Sequence, residues 1–156
     1  MNRSRIAIAE TESDIKRCHA VMRELRPQFE NTETFVRRVQ EQAPEGYRLA
    51  FLEVDGEVSA VAGYRFLKSL FSGDFLYVDD LVTKARNRSL GHGGQLLDWL
   101  ANQARDRGCE SLELDSGVQR FDAHRFYFQK RMNISSYHFR LQLRPKEPNE
   151  KSKSLD

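Results

Sequence analysis

Between Arg86 and Leu100 the chain reads Arg-Asn-Arg-Ser-Leu-Gly-His-Gly-Gly-Gln-Leu-Leu-Asp-Trp-Leu, and few folds accommodate such a stretch. Gly91, Gly93 and Gly94 remove three side chains within four positions, so the backbone is free to take left-handed conformations and to turn several N–H groups toward one point. From Gln95 the pattern becomes helical, with Leu96, Leu97, Leu100, Ala101 and Ala104 on one stripe and Asp98, Asn102 and Arg105 opposite. The glycines therefore open a helix, where unpaired N–H groups and the positive end of the macrodipole favour an anion such as phosphate. Arg88 adds a mobile positive charge. Two common glycine-loop patterns fail: a dinucleotide fingerprint starting at Gly91 needs glycine or alanine where Leu96 stands, and a P-loop needs Gly-Lys-Ser/Thr, which is absent. Taken alone, the stretch is equally explained by a glycine loop that merely caps a helix.

The rest of the composition narrows the field. A chain of 156 residues, 39% of them hydrophobic and spread along its length, can build one domain with a real core. A net charge of +2 is too small to imply nucleic acid. No apolar run approaches the ~18 residues that cross a bilayer, and the start Met1-Asn2-Arg3-Ser4-Arg5 lacks the apolar centre of a signal peptide. A membrane partner is excluded on this reading, and the cytoplasm is the default location. Cys18 and Cys109 are far apart and the four histidines show no ligand spacing, which argues against a metal site and for two reduced thiols in or near the core.

In chain order, Ile6 and Ile8 alternate as in a short strand over Arg5–Ala9. Thr11 or Ser13 can cap a helix carrying Ile15, Cys18, His19, Met22 and Leu25, which Pro27 ends. His19 lies on that apolar side and reads as a packed histidine. A second helix from Asn31 or Thr32 turns Phe35, Val36 and Val39 inward and closes before Pro44, and the Arg26–Glu30 connection is placed to overhang a site. Arg48–Val54 and Val58–Phe66 read as a hairpin about Asp55-Gly56, with a turn over Lys68–Asp74 and a third strand, Phe75–Thr83, leading into the glycine loop. After the loop helix ends at Gly108, Ser111–Asp115 is a strand parallel to its neighbour. A helix capped near Asp122 follows, then a last strand, Ser136–Leu143. Residues 1–143 form the single expected domain, and the polar stretch 144–156 has the composition of a disordered tail.

Three features together resemble one family. Arg88-x-x-Gly91-x-Gly93 is similar to the R/Q-x-x-G-x-G/A pyrophosphate loop of the GNAT superfamily of acyl-CoA-dependent N-acyltransferases. The helix and strand that end in Leu112-Glu113-Leu114-Asp115 resemble those after that loop, and Ala123-His124-Arg125-Phe126-Tyr127 resembles the family's A-x-x-F/L-Y segment. The resemblance covers residues 5–143. It implies an α/β (α+β) GNAT fold: a mixed central sheet with a splayed strand pair and helices on both faces. Two departures stand out, Arg120 where many members have an asparagine near the cofactor, and Arg131-Met132 in place of a frequent Gly-Phe.

The resemblance further implies acetyl-CoA as donor and a primary amine, small-molecule or peptide, as acceptor, without a metal. Backbone groups of Leu81, Val82 and Thr83 would hold pantetheine and the thioester carbonyl, a fixed N–H there stabilising the oxyanion. Those of Ser89, Leu90, Gly91, His92, Gly93 and Gly94 would hold the pyrophosphate, beside Arg88. His92 is equally compatible with a solvent-facing role. Removing a proton from an ammonium of ordinary pKa near ~10.4 calls for a base or a water chain. Tyr77-Val78-Asp79-Asp80 resembles the Tyr-Leu-Glu-Asp of polyamine acetyltransferases and makes Asp79 the candidate base, with two aspartates that only solvate the strand end or attract a cation as the equal alternative, and Asp80 or water as other bases. Strand alternation should turn Asp79 and Asp80 to opposite faces, so that only one looks into the cleft. Tyr127 is the candidate general acid for the thiolate, with a core aromatic as its bland alternative. The two aspartates favour a cationic acceptor, whose pocket the connections Arg26–Asn31 and Lys68–Asp74 would shape. Monomer and homodimer both stay open, as does a module on the same fold that binds acyl-CoA without turnover or serves interaction alone.

Overall fold

Two side-chain caps set the first helices. Thr11 Oγ1 accepts from the Asp14 N–H at 3.1 Å and starts α1 (Glu12–Leu25), and Asn31 Oδ1 accepts from the Thr34 N–H at 3.1 Å and starts α2 (Thr32–Gln42). Pro44 then closes α2 into a single 3-10 turn, Ala43–Glu45. The computed structural model describes residues 3–145, and the chain divides after Leu114 into two compact units.

The first unit is built on a five-stranded sheet of β1 (Ser4–Ile8), β2 (Arg48–Val54), β3 (Glu57–Ser69), β4 (Gly73–Thr83) and β5 (Ser111–Leu114), in that spatial order. Successive neighbours are antiparallel up to β4, and β4 pairs with β5 in parallel across the crossover helix α3 (His92–Asp106). Asp55 and Gly56, both left-handed at φ 50° and 84°, form the tight β2–β3 turn. The next turn is narrower than Lys68–Asp74, because pairing continues to Ser69 and Gly73.

Helices cover both faces of this sheet. Leu49, Phe51, Val61 and Val82 pack under α1 and α2 with Cys18, Met22, Phe35 and Val39. Ala50, Leu52, Ala60, Ala62, Tyr64, Leu76 and Val78 pack under α3 with Leu96, Leu100 and Ala104. The alternation is interrupted twice. Between β2 and β3, Leu52 faces Ala60 and Glu53 faces Val58, leaving Ser59 as an additional residue; between β3 and β4, Gly63 faces Asp80 and Tyr64 faces Val78, leaving Asp79. Each is a β-bulge, and each bulge inverts the side-chain parity beyond it.

α3 begins three residues before the apolar pattern becomes visible at Gln95, because its first turn carries glycines rather than an apolar stripe. Of the three loop glycines only Gly91, at φ 82°, is left-handed; Gly93 and Gly94 lie within the helix. In the second unit, α4 (Phe121–Gln129) is not capped by Asp122, which lies inside the first turn and pairs with Arg125 at 2.6 Å. Ser136–Leu143 is not a strand. Tyr137, Phe139, Leu141 and Leu143 alternate as expected but are all exposed and join no ladder. Alternation records which side chains share a face; a strand also needs a partner for its N–H and C=O groups. Most of the expected tail lies outside the described residues. Among those residues no helix is long and apolar enough to cross a membrane.

Candidate active site

The bulge at Asp79 decides the chemistry of the sheet surface. Below it, Tyr77 and Asp79 face α1 and α2; beyond it, parity inverts and Asp80 and Val82 take that face. Asp79 and Asp80 therefore line the same cavity, of about 340 Å³, contrary to the strict alternation expected from the strand. Arg26, Gln28 and Phe29 from the α1–α2 connection close over it, as that connection's position suggests, whereas no residue of 68–74 lines it.

The two carboxylates differ in what they hold. Both oxygens of Asp80 are engaged: Oδ1 accepts from Arg26 Nε at 2.8 Å and Oδ2 from the Tyr47 hydroxyl at 2.8 Å. Asp79 Oδ2 accepts from Arg65 Nε at 2.9 Å, while its Oδ1 is buried without a hydrogen-bond partner. Burial raises the Asp79 pKa above its ordinary 3.8, and Arg65 only partly offsets this. A half-buried carboxylate with a vacant acceptor atom is a stronger base than an exposed one and is costly to keep unless a donor arrives. The Tyr47 phenol is pushed well above its usual range, first by burial and then by Asp80, so it stays a donor. Gly63 makes the arrangement possible, because a Cβ there would stand 2.0 Å from the Tyr47 hydroxyl and 2.6 Å from Asp80 Oδ2.

Beyond the bulge β4 runs toward the glycine loop with one edge open. β5 pairs only with Phe75–Val78, so Asp79–Thr83 have no ladder partner on that side among the described residues. The loop supplies a second vacancy. α1 and α2 are capped by side chains, whereas Gly91 caps α3 with none, and no acidic residue lies in the first turn. Helix geometry leaves the N–H groups of Gly91–Gly94 without a carbonyl one turn earlier. An ideal Cβ on Gly91 would meet nothing within 4 Å, so this surface is open. Arg88, Ser89 and Leu90 are exposed around it.

His92 is held from below. The Ser59 bulge turns a hydroxyl that is 1% exposed toward α3, where it lies 2.5 Å from His92 Nδ1 and accepts from Asn87 Nδ2 at 2.8 Å. His19 is a packing residue, as expected: Nε2 donates to the Phe29 carbonyl at 2.6 Å and Nδ1 accepts from the Thr32 hydroxyl at 2.9 Å. In the second unit Tyr127 is half-buried beside Phe126, with ring centroids 5.4 Å apart, and burial raises its pKa. Sequence reasoning missed Tyr47, Arg65, Ser59 and Gly63. The first three owe their places to bulges and cross-strand neighbours that no local pattern encodes. Gly63 stood unexplained inside an apolar strand, which is itself a sign of close approach.

Comparison with known proteins agrees with this geometry. Residues 15–133 match the model of the acetyltransferase (GNAT) family. A Bacillus subtilis (strain 168) protein named uncharacterized N-acetyltransferase YhdJ is 39% identical over 124 residues, 78% of this chain and 87% of that one. An aminoalkylphosphonate N-acetyltransferase of Salmonella typhimurium is 34% identical over 95 residues, 60% of each chain. An aminoglycoside N-acetyltransferase solved in complex with CoA superposes with a TM-score of 0.79 over 93% of this chain and 97% of its own, at 11% identity.

Proposed function

This chain belongs to the GNAT acetyltransferase family, and from that premise we propose that it transfers the acetyl group of acetyl-CoA to a small primary amine, with Asp79 as general base and Tyr127 as general acid. The observation that carries the proposal is the bulged pair Asp79–Asp80, set on the strand that leads into the uncapped helix α3. Its own residues fit acetyl-CoA at two places. Ser89–Gly94 with Arg88 would hold the pyrophosphate, and the open edge of β4 at Leu81, Val82 and Thr83 would hold the pantetheine arm as an added strand is held. When bound, acetyl-CoA supplies an acyl carbon joined to a thiolate leaving group.

Asp80, tied to Arg26 and Tyr47, fixes the cavity wall and has no free acceptor atom. Asp79 keeps one, and an incoming ammonium supplies the missing donor and gives up a proton to it. The freed nitrogen forms the C–N bond as the C–S bond breaks. Backbone N–H groups on β4 stabilise negative charge growing on the acyl oxygen, and the Tyr127 hydroxyl, protonated throughout the neutral range because burial raises its pKa, protonates the departing sulfur. The second amine proton leaves to solvent, and the proton held by Asp79 passes through solvent to restore the one Tyr127 has given up, so one proton is released per turnover.

The test combines thermal melting with free-thiol release over a panel of amines, including an aminoalkylphosphonate because one relative is named for that substrate. The proposal expects acetyl-CoA to raise the melting temperature and amines to drive saturable thiol release. Binding without amine-dependent release would make the chain an acyl-CoA-binding module; no binding would leave the glycine loop a structural cap.

A further inference from the structure

We infer that the acceptor is an amine bearing its own anionic group, and that Arg38 is the side chain that reads that anion. This rests on the acetyl-transfer reading and names the substrate class of the same cavity. Arg26, Arg38, Asp79 and Asp80 line the cavity, and Arg65 stands behind Asp79. Asp80 is matched by Arg26 at 2.8 Å and Asp79 by Arg65 at 2.9 Å. Each lining carboxylate thus already faces a guanidinium, and Arg38 is the lining arginine whose own partner lies outside the lining.

The partner of Arg38 is Glu41, at 3.5 Å, and Glu41 is shared with Arg37 at 3.8 Å. Both side chains of the Arg38–Glu41 pair are more than half exposed, and exposed pairs within one helix hold weakly, so the guanidinium exchanges partners at little cost. Its planar fork suits a carboxylate, sulfonate or phosphate. A hydrogen-bonded run leads from the base to the α2 backbone that carries Arg38: Asp79 to Arg65, Arg65 Nη2 to Gln42 Oε1 at 2.6 Å, and Gln42 Nε2 to the Arg38 backbone carbonyl at 3.2 Å. Phe29, Phe35 and Val39 also line the cavity and offer an apolar wall for the carbon chain that joins amine to anion. At about 340 Å³ the space lies near the low end of the ~300–1,000 Å³ of small-molecule sites. A second ammonium, as in a polyamine, would meet Arg38 with like charge.

The experiment measures kcat and KM at saturating acetyl-CoA for propylamine, 1,3-diaminopropane, 3-aminopropanoate, 2-aminoethanesulfonate and O-phosphoethanolamine. The expected result is an advantage of about tenfold or more in kcat/KM for at least one anionic amine over propylamine, with 1,3-diaminopropane poorest. Arg38→Gln should collapse that ratio through KM, with kcat for the anionic amine retained, and Arg38→Lys should restore part of it. Turnover of propylamine or the diamine as efficient as that of every anionic amine would overturn the inference while leaving acetyl transfer intact. An unchanged ratio in Arg38→Gln would do the same. Absence of turnover with every amine, despite acetyl-CoA binding, would instead overturn the transfer reading on which the inference rests.

Discussion

At the scale of single residues, the site depends on which polar atoms are already occupied. Two adjacent carboxylates on one strand are interchangeable as letters, yet one has both oxygens bonded and the other keeps one free. Asp79 as candidate base was legible in the sequence; the contrast with Asp80 was not, because it rests on Tyr47 and Arg26, 33 and 54 positions away from Asp80. Tyr127 is singled out as candidate acid by its surrounding A-x-x-F-Y segment alone. If Tyr127 is the proposed acid, Tyr127→Phe keeps the ring against Phe126 and removes the only proton the side chain can donate. Turnover should fall about 100- to 10,000-fold, while acetyl-CoA affinity and melting temperature stay close to the parent's. A variant that turns over normally would make Tyr127 a packing residue.

At the scale of elements, the order of strands and helices through α4 followed from periodicity, capping residues and the Asp-Gly turn, since each leaves a local mark. The two bulges leave none. A bulge is a count of residues in one strand against its partner, and only the paired ladder reveals it; hence the expectation that Asp79 and Asp80 face apart failed at the position where the bulge turns both toward one cavity. Ser136–Leu143 failed for the opposite reason, a clear local alternation with no partner strand. The bulge between β3 and β4 makes a specific demand on Gly63. Gly63→Ala places a methyl against Tyr47 and Asp80, so we expect a loss of about 1–3 kcal/mol in chemical denaturation, as for an overpacked core. Amine turnover should fall more than acetyl-CoA affinity, because the loop at α3 proposed to hold the cofactor lies on other residues. Wild-type stability and kinetics in Gly63→Ala would show that the cavity wall tolerates displacement.

At the scale of the first unit, polar ties join elements that the core alone only stacks. Glu53 on β2 accepts from Arg5 on β1 at 3.4 Å and from Arg17 on α1. Hydrogen bonds from Arg17 and then Arg5 hold its carboxyl below the ordinary 4.5. A depressed folded-state pKa stabilises the protein above the ordinary value, and that contribution is lost as pH falls through the folded-state value. Glu53→Gln should therefore cost about 0.2–1 kcal/mol at pH 7 and nothing measurable once the pH is below both values, as denaturant titrations at neutral and acid pH would show. The same unit holds the proposed base and the proposed phosphate anchor, a cavity lined by a carboxylate with one unbonded oxygen and a helix N-terminus without a side-chain cap, joined by one strand. The claim that Asp79 takes the acceptor's proton is tested most directly by the pH dependence of kcat/KM for the amine in the parent and in Asp79→Asn. If Asp79 is the base, the parent uses the abundant ammonium form and its kcat/KM is level from above the raised Asp79 pKa up to the pKa of the amine. Asp79→Asn then depends on the free amine in solution, and its kcat/KM starts far lower and climbs about tenfold per pH unit toward the ~10.4 of an alkyl ammonium. Parallel profiles of equal height in the two proteins would contradict the account.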